Sequence, residues 1–473
     1  MQVQSLLGVV VGVSLLAGCP DRTISEVVPS QGRVETNDIP FDINRNIDIL
    51  FLIDDSLSME DKQANLAANF PDFINVLNTI PGGLPDVHIG VATSDMGAKS
   101  TTEVTPLAGV GGCTGSGKNG LLQLSGAPVT SGLYLSDISS TSGGRARNYT
   151  GDLAAAFGQM AKVGTGGCGF EQHLHAMKAA LDGTNPANAG FLRADAYLAV
   201  IFIADEDDCS VSKASILGPQ NATIGTQQSF RCTRFGVTCD VGGATTDRMN
   251  VVGSKAQCHP NEGSAYLASI EPFVTFLKGL KPGNPEKVIV AGIMGPPDPV
   301  QIEMRPPKGQ TVPEPAIAHS CSYQGATGPE VADPSIRLKF FLDQFPNRST
   351  FTTICQRNLS DGLTVIAQQL KQVLGDPCIK GNLLDVDPST AGDQFECSVS
   401  DVQHVNTPQQ IETILPACDA TSSVKPCWHI GTDTVHCTMS PKNRTLVVER
   451  AMNPPAETHT IMNCVTEATD NEP

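Results

Sequence analysis

Two stretches of the chain are almost continuously apolar, at 47–53 and 197–204. Such runs are typical of strands that are buried on both faces of a parallel sheet. Shorter strand patterns lie at 87–92, 287–293 and 351–354. Apolar residues at helical spacing occur between and after them, at 59–77, 153–163, 170–181, 265–280 and 359–374. Because strands alternate with helices, the pattern predicts a doubly wound, mostly parallel α/β sheet over residues 44–376.

One part of this region has no clear element, at 207–262. It contains Cys209, Cys232, Cys239 and Cys258, so we interpret it as a disulfide-pinned insertion. The short spacing between Cys232 and Cys239 suggests a small closed loop, although pairing cannot be deduced from sequence.

The sequence pattern changes again from Cys378 onward, where cysteines become frequent. Six cysteines lie between residues 378 and 464, and strand patterns appear at 445–449 and 458–462. A small unit with a thin core needs covalent support. We therefore predict a separate disulfide-rich β module over 377–473.

The first residues carry an export pattern. An apolar run from Leu6 to Leu16 is too short to span a bilayer and ends in Leu16-Ala17-Gly18-Cys19. This ending resembles the lipobox of bacterial lipoproteins, although Met1–Ser5 lacks a basic residue. The resemblance implies a signal peptide over 1–18, a lipid on Cys19 and a tether over 19–43. The alternative is an ordinary signal peptide that is cleaved nearby.

The number of cysteines indicates the cellular compartment, and the net charge restricts the kinds of partner. Of 15 cysteines, lipidation of Cys19 leaves enough for seven disulfides, which form in oxidising compartments. The formal charge of −18 excludes nucleic acid and acidic membrane surfaces as partners. No later stretch is long and apolar enough to span a membrane, so we expect an anchored protein of the bacterial cell envelope, on the outer membrane or the cell surface.

Candidate chemistry begins where the first buried strand ends, in Asp54-Asp55-Ser56-Leu57-Ser58. This segment resembles the von Willebrand factor type A domain, whose metal-ion-dependent adhesion site starts with Asp-x-Ser-x-Ser at the same place. Asp205 closes the strand at 197–204, as an aspartate does in that family. The resemblance covers about 44–376 and implies a Rossmann-like topology with metal ligands at Asp54, Ser56, Ser58 and Asp205.

The residue types suit that chemistry. Open α/β sheets bind ligands beyond the carboxyl ends of their strands. Hydroxyl oxygens are neutral, hard ligands for Mg²⁺ or Ca²⁺, with Mn²⁺ as a further candidate. In the family the aspartates act largely through bound water, which leaves the metal able to take a partner's carboxylate. The alternative is that Asp54 and Ser58 cap the next helix, which leaves Asp205 unexplained.

A further ligand is expected from the loop at 164–171. The family supplies a threonine there, and this loop offers both Thr165 and Glu171. We favour Glu171, since it lies nearer the helix start, where the helix dipole favours a carboxylate. Such a ligand would bind the metal more tightly and leave it less electrophilic.

The rim is strongly acidic. Asp55 stands where the family often has a small residue, and Glu206, Asp207 and Asp208 follow Asp205. These side chains raise the affinity for a cation, create a second, adjacent Ca²⁺ site, or form a solvated acidic loop.

The function that follows is binding. We expect a lipid-anchored adhesion protein that engages a carboxylate on a protein or other surface macromolecule through a divalent cation. It is not expected to be an enzyme, because no nucleophile with a neighbouring base is recognisable. The alternative is an accessory subunit of a metal-dependent enzyme assembly.

Overall fold

The structure, a computed structural model, describes most of the chain. The described residues are 33–41, 45–80, 83–98, 113, 115–140, 144–282, 284–307, 310–326, 328–390, 392–405, 409–418, 424–434, 437, 440–451, 454 and 458–467.

Strands and helices follow one another along the chain. The strands are β1 Arg33–Phe41, β2 Asn46–Ile53, β3 Asp86–Thr93, β4 Leu135–Ser139, β5 Arg145–Arg147, β6 Tyr197–Ala204, β7 Val237–Val241, β8 Gly253–Pro260, β9 Val288–Met294, β10 Val300–Arg305, β11 Glu314–Ile317, β12 Cys321–Gln324, β13 Pro329–Ala332, β14 Ser349–Thr353, β15 Cys397–Gln403, β16 Ile411–Leu415, β17 Cys427–Thr432, β18 Arg444–Glu449 and β19 Thr458–Thr466. The α-helices are α1 Glu60–Asn78, α2 Leu153–Met160, α3 His173–Leu181, α4 Phe230–Gly236, α5 Thr246–Met249, α6 Glu271–Gly279, α7 Ile336–Asp343 and α8 Ser360–Val373.

The largest sheet has the strand order β14-β9-β6-β2-β3-β4-β5. The five strands from β14 to β3 are parallel, and β4 and β5 continue the sheet antiparallel. β2 lies between β3 and β6, so the carboxyl ends of β2 and β6 are neighbours at one edge. This edge receives Asp54 and Asp205.

Alternate residues of β2 enter two separate cores. Phe51 packs with Phe70 of α1 and Phe157 of α2, at ring-centre distances of 5.8 and 4.7 Å. Leu50 and Leu52 face the opposite core, which is built with residues of α3, α6 and α7. The predicted burial of this strand on both faces is therefore confirmed.

The fold class is mixed α/β, with several sheets and many disulfides, as the sequence predicted in outline. The bonded pairs include Cys113–Cys168, Cys209–Cys232, Cys239–Cys258, Cys321–Cys355, Cys397–Cys464 and Cys418–Cys427. Cys378 and Cys437 are disulfide-bonded too.

The segment at 207–262 differs from the prediction, because it contains α4, β7, α5 and β8. β7 and β8 form a hairpin in which Cys239 and Cys258 are directly paired and disulfide-bonded. The suggested loop between Cys232 and Cys239 is therefore wrong. These elements are short and have no hydrophobic period that would predict them. The other neighbour of β8 in its sheet is β10, which lies beyond residue 262 in the chain.

The chain divides into two compact units. One contains the large sheet and is drawn from Pro40–Asp376 and Asp433–Thr438. The other is drawn from Met1–Ile39, Pro377–Thr432 and Met439–Pro473. Whether the second unit folds separately, with the boundary at 376/377, stays a prediction.

The second unit contains a sheet of order β1-β19-β15-β16. Its strand β1, Arg33–Phe41, pairs with β19 and lies within the segment 19–43 that the sequence predicted as a tether. Residues 19–32 lie outside the described residues, so the tether there stays a prediction. The Glu35 carboxylate also accepts a hydrogen bond from the backbone N–H of Lys380 at 3.0 Å. The partners of this strand lie hundreds of residues away in sequence, which hides it from local patterns.

The predicted signal peptide and Cys19 lie outside the described residues. Within the described ranges, no helix has both the length and the hydropathy needed to cross a bilayer. Lipid attachment at Cys19 therefore stays a prediction.

Candidate metal centre

Asp54 and Asp205 leave neighbouring strands at the same edge of the large sheet. The backbone N–H of Asp54 donates to the carbonyl oxygen of Ile203 at 3.0 Å, which continues the β2–β6 pairing into the turn. Both carboxylates are buried. The parallel register thus brings together two acids that are far apart in sequence.

The turn after β2 orients the two predicted serine ligands. The Asp54 carboxylate accepts a hydrogen bond from the Ser56 N–H at 2.7 Å, and the Ser56 and Ser58 hydroxyl oxygens lie 3.0 Å apart. Adjacent ligands of an octahedral Mg²⁺ ion, with bonds of about 2.1 Å, are separated by about 3.0 Å. Ser58 is exposed whereas Ser56 is buried, so the pair opens to solvent on one side.

Helix capping does not account for these residues. A 3₁₀ turn at Leu57–Met59 precedes α1, which begins at Glu60. The residues at the two N-cap positions, Ser56 and Met59, make no side-chain cap hydrogen bond. The capping alternative for Asp54 and Ser58 is therefore wrong.

Several buried carboxylate oxygens at this edge lack a hydrogen-bond partner. They are Asp54 Oδ2, Asp205 Oδ1 and Glu171 Oε1. A buried polar atom without a partner costs free energy, and a buried charge costs more. These oxygens are acceptor-only when ionised, so a cation is the group that would satisfy them.

The raised pKa values of the carboxyl groups at this edge also favour a bound cation. Burial and the charge of Asp205 raise the pKa of Asp54 well above its usual range. Burial and the charges of Glu206 and Asp54 do the same to the pKa of Glu171. Burial and Asp333 raise the pKa of Glu206 to about 8. A divalent cation would relieve the repulsion that these carboxylates otherwise relieve by holding protons.

The loop at 164–171 is bonded directly to the end of β2. The Gln63 side-chain amide donates to the carbonyl oxygens of Asp54, at 3.1 Å, and Gly164, at 2.9 Å. The Gly167 N–H donates to the Asp55 carbonyl oxygen at 2.9 Å. The loop that carries both Thr165 and Glu171 is therefore held against the candidate site.

Glu171 has the stronger structural support of the two candidate ligands. Its carboxylate is buried, interacts electrostatically with Asp54, and has one oxygen without a partner. Thr165 is partly exposed in the part of the loop that Gln63 holds.

The acidic rim is not a solvated loop. Asp55 forms an ion pair with Lys118 at 2.7 Å, and Asp208 forms one with Arg337 at 3.0 Å. Asp207 accepts hydrogen bonds from the first backbone N–H groups of α7, at 2.8 to 3.0 Å. These three acids have structural partners, and both Glu206 and Asp207 line a small cavity with Glu171 and Asp333.

A buried lysine, Lys62, belongs to the site, and no motif in the sequence indicates it. The Lys62 ammonium lies 3.0 Å from Asp205 Oδ2 and 2.9 Å from Glu330 Oε2. It also donates to the Ser58 carbonyl oxygen at 2.9 Å. Burial opposes this charge, but Asp205 and Glu330 outweigh burial, and the pKa of Lys62 is raised.

The spacing of the acids restricts how a cation could be held. Among the described residues, three His, Cys, Asp or Glu ligand atoms come within 4.8 Å of one another at Cys418, His429 and Glu449, and not at this edge. Cys418 is already bonded to Cys427, so that cluster offers no thiolate. At the strand edge the donor set fits a divalent ion held by the serine hydroxyls, by water and by one or two carboxylates.

Comparisons with known proteins give only remote neighbours. No family model matches the chain, and no curated protein matches it. Solved structures similar to it include the pilus adhesin SpaC of Lactobacillus rhamnosus GG, at 9% identity and a TM-score of 0.30, over 92% of this chain and 43% of that one. Another is the pilus adhesin RrgA of Streptococcus pneumoniae, at 12% identity and a TM-score of 0.28, over 92% of this chain and 58% of that one.

A von Willebrand factor type A protein from Catenulispora acidiphila is also similar. It has 9% identity and a TM-score of 0.25, over 93% of this chain and 66% of that one. The chain thus spans about two fifths to two thirds of the lengths of these neighbours. Likeness at this level assigns neither a family nor a function to the chain.

Proposed function

We propose that the unit with the large sheet is a von Willebrand factor A-like, doubly wound module that binds a macromolecular partner through a divalent cation. Asp54, Ser56, Ser58 and Asp205 would hold the cation, with Glu171 as the further ligand. One or two of these carboxylates would bind the cation directly and the others through water. The observation that carries the proposal is the pair of unpartnered, buried oxygens on Asp54 and Asp205 beside two adjacent serine hydroxyls.

Charge explains why an ion belongs there. Lys118 and Arg337 are occupied by Asp55 and Asp208, and Lys62 is shared between Asp205 and Glu330. Asp54 and Glu171 therefore have no basic side chain of their own among the ion pairs of the described residues. Mg²⁺, Ca²⁺ or Mn²⁺ would supply the missing positive charge, and hard oxygen ligands suit all three.

The exposed side of the site is where a partner would bind. Ser58 opens to solvent, and Leu57 beside it is 61% exposed. A cation with an open coordination position would accept a carboxylate from a protein or other surface macromolecule, while Leu57 would contact apolar surface next to it. We propose binding rather than catalysis, in a lipid-anchored protein of the bacterial cell envelope.

The test is capture of a partner from bacterial surface extracts by the immobilised chain. Capture is measured in Mg²⁺, in EDTA, and in EDTA followed by excess Mn²⁺, with wild type, Asp54→Asn and the control Asp343→Asn. Asp343 is an exposed acid that pairs with Lys339. We expect wild type to capture a partner in Mg²⁺, to lose it in EDTA and to recover it in excess Mn²⁺. Asp54→Asn should not capture the partner, whereas Asp343→Asn should capture it as wild type does. Retention of the same proteins in EDTA would overturn the adhesion proposal.

A further inference from the structure

Lys62 is buried at the edge of the proposed cation site, with all of its hydrogen-bonding capacity in use. Its side chain is 1% exposed, and its three acceptors are Asp205 Oδ2, Glu330 Oε2 and the Ser58 carbonyl oxygen. An ammonium group has three N–H donors, so the three acceptors satisfy it completely. Such a lysine is fixed in place rather than free to leave for solvent.

Asp205 is thereby divided between two roles. Its Oδ2 atom meets the ammonium, whereas its Oδ1 atom is buried without a partner. Lys62 therefore neutralises part of the negative charge of Asp205 that would attract a cation. It leaves the Oδ1 atom of Asp205 available to the cation.

We infer that Lys62 is a built-in counter-ion that sets the affinity of the strand-edge site for a divalent cation. The inference rests on the proposed function, since it concerns regulation of the same site. In the metal-free protein the ammonium offsets the repulsion around Asp205. When a cation arrives, the same ammonium repels it and keeps its binding reversible.

Glu330 controls how strongly Lys62 opposes the cation. It lies on β13, and its carboxylate contacts the Lys62 ammonium at 2.9 Å. If Glu330 is neutralised, the positive charge of Lys62 is no longer balanced there and acts more strongly on the site. Lys62 and Glu330 should therefore affect cation affinity in opposite directions.

A purely structural role makes a different prediction. Lys62 joins α1 to the β12–β13 hairpin, which Tyr323 also joins to α1 through a hydrogen bond to Asp61 at 3.0 Å. If the lysine only pinned these elements together, both substitutions would lower the melting temperature and neither would change cation affinity in a definite direction.

The experiment is a titration of the full chain with Mn²⁺, followed by electron paramagnetic resonance of the free ion. The variants are Lys62→Met, Glu330→Gln, their combination, and the control Lys339→Met, which removes an exposed positive charge that pairs with Asp343. A unit charge one carboxylate away from a divalent ion changes affinity by about tenfold, even at the dielectric constant of water.

We expect Lys62→Met to bind Mn²⁺ about tenfold more tightly and Glu330→Gln to bind it several-fold more weakly. The double variant should lie between Lys62→Met and wild type, because the charges of Lys62 and Glu330 act on the cation additively. Lys339→Met should match wild type. If Lys62→Met fails to fold, Lys62→Gln, which also removes the positive charge, is used in its place, because loss of the Glu330 carboxylate alone would weaken cation binding without any role for Lys62. Unchanged Mn²⁺ affinity in Glu330→Gln, or in a folded Lys62→Met, overturns the inference about Lys62. The proposed function survives that result as long as wild type binds Mn²⁺. Absence of Mn²⁺ binding by wild type overturns both.

Discussion

Gly167 donates its backbone N–H to the carbonyl oxygen of Asp55 at 2.9 Å, and its α-carbon lies against the carboxylate of the same residue. A Cβ atom on Gly167 would overlap Asp55 Oδ1 and Cγ. Since Asp55 is buried and paired with Lys118, it has little room to give way. The absence of a side chain at 167 is what lets the 164–171 loop reach the end of β2.

We therefore expect Gly167→Ala to destabilise the protein by about 1–3 kcal/mol and to weaken cation binding, because it pushes the loop that carries Glu171 away from Asp54. Chemical denaturation and Mn²⁺ titration measure the two effects. Gly166→Ala is the matched control, since a Cβ atom there meets nothing within 4 Å. Equal behaviour of the two variants would show that the close approach at Gly167 has no consequence.

Leu57 allows the partner surface to be separated from the cation site. Its side chain is exposed between the two serine ligands, and it belongs to neither buried core of the sheet. Leu57→Ser should reduce partner capture while the melting temperature and Mn²⁺ affinity stay at wild-type values. Val365→Ser on α8 is the control, because that side chain is exposed to a similar degree. Undiminished capture by Leu57→Ser would place the partner elsewhere.

Two histidines of α3, the buried His173 and the half-buried His175, should make the stability depend on pH. Burial lowers the pKa of His175 to about 4, and that of His173 likewise to about 4. In the unfolded chain histidine titrates near 6.5, so on acidification the unfolded state takes up protons first. Their contribution to stability is therefore full above about pH 6.5 and is lost progressively between pH 6.5 and 4.

A single-site variant tests this sign. His175→Gln should make the fall in melting temperature between pH 6.5 and 4.5 shallower than in wild type. His259→Gln, at an exposed position on β8, is the control for the loss of a histidine elsewhere. A slope that His175→Gln leaves unchanged would mean that His175 takes up its proton in the folded protein as readily as in the unfolded chain.

Sequence patterns predict the strands of the large sheet and the two aspartates at its edge, but not the basic side chains that pair with the acids. The runs at 47–53 and 197–204 identify β2 and β6, and parallel strands end at one edge, so Asp54 and Asp205 could be placed together in advance. The contact of Lys62 with Glu330 joins residues that are 268 positions apart, and no local pattern records it. The Cys209–Cys232 and Cys239–Cys258 pairings depend on α4 and the β7–β8 hairpin, whose short elements have no hydrophobic period.

The disulfide between Cys113 and Cys168 should support the same loop. Cys168 lies between Gly167 and Glu171, so the bond ties this part of the loop to a segment 55 residues earlier. Removing both cysteines as Cys113→Ser/Cys168→Ser should cost about 2–4 kcal/mol and weaken Mn²⁺ binding. The control, Cys397→Ser/Cys464→Ser, removes a disulfide between β15 and β19 and should leave Mn²⁺ affinity unchanged. Equal Mn²⁺ affinity in both double variants would contradict a role for Cys113–Cys168 in the site.

The melting temperature with and without a divalent cation tests most directly whether the carboxylate of Asp54 helps to hold that cation. At a hundredfold excess over Kd, binding to the folded state alone stabilises it by about 2.7 kcal/mol. We predict that Mg²⁺, Ca²⁺ or Mn²⁺ raises the wild-type melting temperature over that in EDTA. Asp54→Asn should melt no lower than wild type in EDTA, because it removes an uncompensated buried carboxylate, and should not respond to the ions. A wild-type melting temperature that none of the three ions moves, or an equal response in Asp54→Asn, would contradict the account.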